Sequence, residues 1–99
     1  MGFLSNLFKS IKGERVDFVA LIQSGAVVVD VRSPQEFKSG HADGSKNIPL
    51  QSLSGSLSKL KNKEVILVCK SGGRAARAKS ILSNSGIKAH NAGAWQNVS

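Results

Sequence analysis

In the stretch Cys69-Lys70-Ser71-Gly72-Gly73-Arg74, residue type and spacing together could do chemistry. The thiol closes the apolar run Val65-Ile66-Leu67-Val68, two glycines follow it, and Lys70 and Arg74 supply positive charge. Glycines let the backbone curl so that successive amide N–H groups point inward. Such a nest, backed by a helix N-terminus, cradles an anion. Amide dipoles, helix terminus and cations all favour thiolate over thiol, whose ordinary pKa is about 8.5. The same field suits an anionic substrate held beside the nucleophile. The competing structural reading makes Cys69 a small hydrophobe at a strand end. That reading leaves the Gly-Gly turn and the flanking cations without a purpose.

A thiolate in an anion cradle suits phosphoryl transfer or sulfur transfer. Acyl transfer would want a His base held by an orienting partner, and the sequence assigns neither His41 nor His90 to that task. One Cys and two scattered His match no zinc spacing, so no metal ligand set is expected. Four residues separate Cys69 from Arg74. That is one fewer than cysteine phosphatases place around a tetrahedral phosphate. The tighter ring suits a persulfide sulfur and argues against a phosphatase relative.

The elements that must position this loop read as alternating helices and strands. Asp17 caps a short helix through Gln23, with Phe18, Leu21 and Ile22 inward, and Gly25 ends it. Val27-Val28-Val29-Asp30-Val31 is a β-branched run typical of a strand buried on both faces. Ser33-Pro34-Gln35-Glu36 carries a capping box with Pro in the first helical turn, and that helix stops at Gly40. Lys46 to Leu50 holds a brief strand. Leu50, Leu53, Leu57 and Leu60 line a helix interrupted by Gly55. Val65–Val68 is the second buried strand, Arg74 to Asn84 a helix, and Ile87 to His90 a last short strand. The expected fold is α/β, a small domain with a central, mostly parallel sheet flanked by helices on both faces. In such sheets ligands bind at the carboxyl ends of the strands, where Cys69 sits.

Composition bounds the rest. Ninety-nine residues, 40% of them apolar, suffice for one core and exclude both a long multidomain architecture and a disordered chain. One Cys closes no intrachain disulfide. The net charge of +8 includes seven cations between Lys59 and Lys79, opposed there only by Glu64. With five aromatics and no basic-aromatic repeat, this face reads as a solubilising surface, and no nucleic-acid partner is expected. Residues 1–13 are set apart as an amphipathic segment in which Phe3, Leu4, Leu7, Phe8 and Ile11 recur at helical spacing; residues 14–99 form the domain. Docking of that stripe on protein is favoured over a membrane anchor. No run spans a membrane and no secretory signal is recognisable, so the expected location is the cytoplasm, where the lone thiol stays reduced.

Three stretches, in this order and at this spacing, resemble a single-domain rhodanese, a sulfurtransferase module. They are Val29–Phe37, Gly40–Pro49 and Cys69–Arg74. The resemblance runs from about Val16 to Trp95. It implies that Cys69 is the catalytic nucleophile and that Lys70, Ser71, Gly72, Gly73 and Arg74 form the substrate-binding loop. It implies a two-step reaction in which sulfur from thiosulfate or a persulfide donor forms a Cys69 persulfide. Cyanide, a small thiol or a sulfur-relay protein then accepts that sulfur. No cofactor is implied. Asp30 and Arg32, which straddle a strand end and could pair with loop charges, take scaffold roles, as does His41. The alternative reading is a sulfur carrier that docks a partner and turns thiosulfate over weakly. The chain departs from the family at Ala42, at Ser45 and at Ala92-Gly93-Ala94 before Trp95.

Overall fold

The computed structural model describes residues 17–99, so the amphipathic segment inferred for residues 1–13 lies outside the described residues. Helix α1 (Phe18–Gln23) opens on Asp17, whose carboxylate accepts the Ala20 amide at 3.1 Å. Strand β1 (Val27–Asp30) leads to α2 (Pro34–Lys38) and then to the two-residue β2 (Lys46–Asn47). A 3-10 turn (Leu50–Ser56) runs into α3 (Leu57–Leu60), followed by β3 (Glu64–Cys69), α4 (Gly73–Asn84), β4 (Lys88–Ala94) and a closing 3-10 turn (Trp95–Val98).

All four strands are parallel, in the order β2-β1-β3-β4. Parallel neighbours need crossovers, and these put elements on both faces of the sheet. Val29, Val31, Val65, Leu67 and Cys69 face one way, onto Ala75, Ala78 and Leu82 of α4 together with Leu53 and Leu60. Val28, Ile66 and Val68 face the other way, onto Phe18 and Leu21 of α1 and onto Trp95 and Val98. The consecutive apolar run thus supplies two cores from one strand. Burying an aliphatic side chain of this size contributes about 1.5–3 kcal/mol, before the cost of ordering the chain.

The structure departs from the sequence reading in several places: the brief strand expected over Lys46 to Leu50 covers only Lys46–Asn47, and Ile22, expected inward, is exposed. Leu50–Ser56 is 3-10 rather than α-helical, and only Leu57–Leu60 closes into α-helix. Its composition, LQSLSGS, is rich in serine and broken by Gly55; serine side chains compete for backbone groups and glycine adds flexibility. The last strand runs to Ala94 instead of ending at His90. Its register jumps from Leu67↔Asn91 to Val68↔Gly93, so Ala92 is an extra residue that bulges the strand and lets pairing resume. His90, to which the sequence assigned no task, is half-buried and hydrogen-bonded to Glu64.

Candidate active site

Cys69 ends β3, an interior strand of the sheet, and α4 begins four residues later at Gly73. Between them the chain must reverse from extended to helical backbone in one turn. Gly72 makes this possible at φ +106°, ψ −16°, a conformation that side chains with a Cβ rarely adopt. No side chain caps α4. The sulfur of Cys69 takes that place: it accepts the amides of Gly72 at 3.0 Å and Ala75 at 3.4 Å. The nest inferred from the glycines therefore closes on sulfur with N–H groups inward.

The electrostatics follow from this geometry. Burial pushes the Cys69 thiol up, and the backbone donors of Ala75, Gly72, Ser71 and Arg74 together outweigh it, leaving the thiol below its ordinary value. The residue keeps only 1% of its accessible area. A donor must therefore reach the sulfur across the loop, where Lys70, Ser71 and Gly73 are exposed. Among the described residues Lys70 has no carboxylate partner.

Arg74 is a different kind of cation from the free charge its position suggests. Its guanidinium grips Glu36 with two bonds, Nη1 to Oε1 at 2.7 Å and Nη2 to Oε2 at 3.1 Å. The Arg74 guanidinium, helped by the Ser33 amide, holds the Glu36 carboxyl down at about 2. Glu36 raises Arg74 in return. Glu36 has two tasks at once, because its Oε1 also accepts the Ser33 amide at 2.9 Å while Ser33 Oγ accepts the Glu36 amide at 3.2 Å. The capping box of α2 is thus tied to the first turn of α4. The sequence showed the box; nothing in it paired Glu36 with a residue 38 positions away.

Asp30 and Arg32 pair with each other, not with loop charges as the sequence reading allowed. Arg32 Nε donates to Asp30 Oδ1 at 2.9 Å and Nη2 to Oδ2 at 2.7 Å, with both residues buried. Arg32 Nη2 also donates to the Gly40 carbonyl at 2.8 Å, and the guanidinium lies 5.1 Å from the Trp95 ring centroid. Asn47 Nδ2 donates to the carbonyls of both Asp30 and Arg32, at 3.0 and 2.9 Å. The strand end beside the loop is thereby tied to Gly40 on one side and Asn47 on the other. His41 is exposed, stacks on Phe37 at 3.6 Å between ring centroids and bonds the Phe37 carbonyl through Nδ1 at 2.7 Å. It supports the end of α2 and makes no contact with the Cys69 sulfur.

Two asparagines missed in the sequence complete the surroundings. Asn91 Nδ2 donates to the Gly72 carbonyl at 3.1 Å, and its Oδ1 accepts the Gly93 amide at 2.8 Å. Asn97 Nδ2 donates to the Ala92 carbonyl at 2.7 Å and so clamps the bulge. Their only sequence signal was the departure at Ala92-Gly93-Ala94, which coincides with that bulge.

The family model described as Rhodanese-like domain matches residues 14–98. Over 74 residues the chain is 32% identical to thiosulfate sulfurtransferase PspE of Escherichia coli (strain K12), covering 71% of each protein. Over 62 residues it is 39% identical to the uncharacterized protein YqhL of Bacillus subtilis (strain 168), covering 62% of this chain and 49% of YqhL. The chain thus spans about half the length of that relative. Among solved structures, a rhodanese with anions from E. coli superposes with a TM-score of 0.69 at 29% identity, over 76% of this chain and 93% of that one.

Proposed function

Since the chain belongs to the rhodanese-like domain family of sulfurtransferases, we propose that it moves a sulfane sulfur through a persulfide on Cys69, with residues 14–99 as the working unit. The observation that carries this reading is the sulfur of Cys69 held by the amides of Gly72 and Ala75 at the start of α4. In the first step the Cys69 thiolate attacks the outer sulfur of thiosulfate. A bond forms between the two sulfurs, the S–S bond of thiosulfate breaks, and sulfite leaves with the electron pair. The product is a Cys69 persulfide, and no net oxidation occurs. In the second step a thiophile attacks the outer sulfur and the Cys69 thiolate departs. Cyanide would leave as thiocyanate; a thiol would leave as a persulfide and give up its proton.

Each loop residue has a role that follows from its chemistry. The amides of Gly72 and Ala75 hold the sulfur anion in either of its forms, with Ser71 in the loop between the nucleophile and Gly72. Gly72 supplies the positive-φ turn that brings the N–H groups round to the sulfur, and Gly73 opens α4. Lys70, exposed and without a carboxylate partner among the described residues, draws the anionic donor to the mouth. Arg74 works as a paired cation that fixes the start of α4 while leaving part of its field at the loop. A physiological persulfide donor, and a small thiol or relay protein as acceptor, fit the same site, since both present sulfur to the same nucleophile. Among the described residues no helix is long and apolar enough to cross a membrane; a cytoplasmic setting, which keeps a lone thiol reduced, agrees with this chemistry.

The test is turnover of thiosulfate and cyanide to sulfite and thiocyanate. Cys69→Ala abolishes it. An unchanged rate in that variant, or a wild-type protein inert with thiosulfate and with glutathione persulfide, contradicts the reading.

A further inference from the structure

The loop that holds the sulfur depends on a residue outside it. Gly72 and Gly73 give this turn wide conformational freedom, and a change in φ and ψ at Gly72, now +106° and −16°, would turn the peptide before it, which carries the Gly72 N–H, away from Cys69. Something must hold the turn in its working form. The Gly72 carbonyl is bonded twice, by the Ala76 amide at 2.9 Å as the first bond of α4 and by Asn91 Nδ2 at 3.1 Å. Only the second comes from outside the loop and helix. It is supplied by β4 at the point where the strand bulges: Asn91 pairs with Leu67, Gly93 pairs with Val68, and Ala92 is the extra residue.

The bulge also fixes Asn91. Its Oδ1 accepts the Gly93 amide at 2.8 Å, which orients the side-chain amide so that Nδ2 must face the loop. Gly93 adopts φ +80°, and Asn97 holds the bulge from behind through the Ala92 carbonyl. A Cβ on Gly72 would lie 3.6 Å from the Gly93 Cα, in ordinary van der Waals contact, so the loop and the bulge run side by side. Strand, bulge and loop are therefore joined, through the exposed Asn91 side chain, on the side of the ring facing β4.

We propose that Asn91 is a positioning residue for the proposed sulfur transfer: by holding the Gly72–Gly73 peptide to the β4 bulge through the Gly72 carbonyl, it restrains φ and ψ at Gly72 and so keeps the N–H of the preceding peptide aimed at the Cys69 sulfur. Asn91 touches neither sulfur nor substrate and acts through Gly72. The inference rests on the reading of Cys69 as a working thiolate, and its test separates the two.

Cys69 is the only thiol in the chain, so the rate of alkylation by iodoacetamide against pH reads its ionisation directly. Wild type and Asn91→Ala are compared as full chains, with the thermal midpoint of each measured alongside. The expected result is a midpoint of the alkylation profile below the ordinary thiol range in wild type and higher by about 1 in Asn91→Ala. A merely structural role would lower the thermal midpoint and leave the alkylation profile of the folded protein where it was; that result overturns the proposal. Should Asn91→Ala fail to fold, Asn91→Ser, which keeps an oxygen near the Gly93 amide and is too short to reach Gly72, is held to the same two outcomes. A wild-type profile at the ordinary thiol value contradicts the thiolate reading itself. A low wild-type value unaltered by either substitution removes only the role of Asn91.

Discussion

Two arginine–carboxylate pairs flank the sulfur loop, and each has a shortest contact of 2.7 Å. Arg32 with Asp30 keeps 5% and 0% of side-chain exposure, whereas Arg74 with Glu36 keeps 36% and 34%. The contact is the same; the surroundings are not. Away from water, neither member of the first pair can be spared, because the survivor would be a buried charge without a partner. At the half-exposed pair water can replace either member, and the attraction is screened. The first pair therefore serves architecture. It joins the end of β1 to Gly40 and Trp95. The second can serve as an adjustment of charge at the mouth of the site, tying α2 to α4 while offsetting part of the positive field around Cys69.

The contrast is broken most forcefully at Asp30. Asp30→Ala should destabilise the fold by about 3–5 kcal/mol, read as a lower denaturant midpoint with an unchanged slope. A loss within the ordinary range of surface substitutions would mean that the two pairs are alike after all.

A smaller effect is expected at the exposed pair, and on catalysis rather than folding. Glu36→Gln releases Arg74 from a full negative charge. The KM for thiosulfate should fall by a factor of about 2–5 at low salt, with the gain shrinking as salt rises. An unchanged KM would assign Glu36 to the capping box alone.

The smallest effect is a pH signature. The Glu36 carboxyl lies at about 2, held there chiefly by its hydrogen bond to Arg74, against an ordinary 4.5. A depressed carboxylate adds stability above its unfolded pKa and loses it as pH falls toward the folded one. The difference in thermal midpoint between wild type and Glu36→Gln should hold above pH 4.5 and vanish progressively as pH falls toward about 2. A difference constant across that window would contradict the assignment.

The same contrast shows what was legible in the sequence. Local signals were readable: β1 and β3 as continuous β-branched or apolar runs, the Ser33 cap with its Pro, and the Gly-Gly turn after Cys69. Each depends on neighbours within a few positions. The sulfur's own environment was also legible, because nest and helix terminus are made by the loop itself. Contacts between distant segments were not. Nothing near Arg74 announces Glu36, and a lone Asn91 gives no sign that its amide will meet Gly72 from a bulged strand. Asp30 and Arg32 lie two positions apart, yet their mutual pairing was hidden as well. Alternation along a strand states which side each residue faces, not which partner waits there. The 3-10 form of Leu50–Ser56 escaped for another reason, since its leucine spacing suits either helix and the choice is left to weak serine and glycine preferences.

In the proposed function, peptide N–H groups keep the Cys69 sulfur ionised and able to take up a second sulfur. Intact mass after brief exposure to thiosulfate tests it most directly. The expected result is a gain of one sulfur atom, about 32 Da, that is absent in Cys69→Ala and removed by cyanide, on the ground that an amide-stabilised thiolate forms the bond. A mass unaltered by thiosulfate and by a persulfide donor, in a folded protein whose thiol still reacts with iodoacetamide, would contradict it.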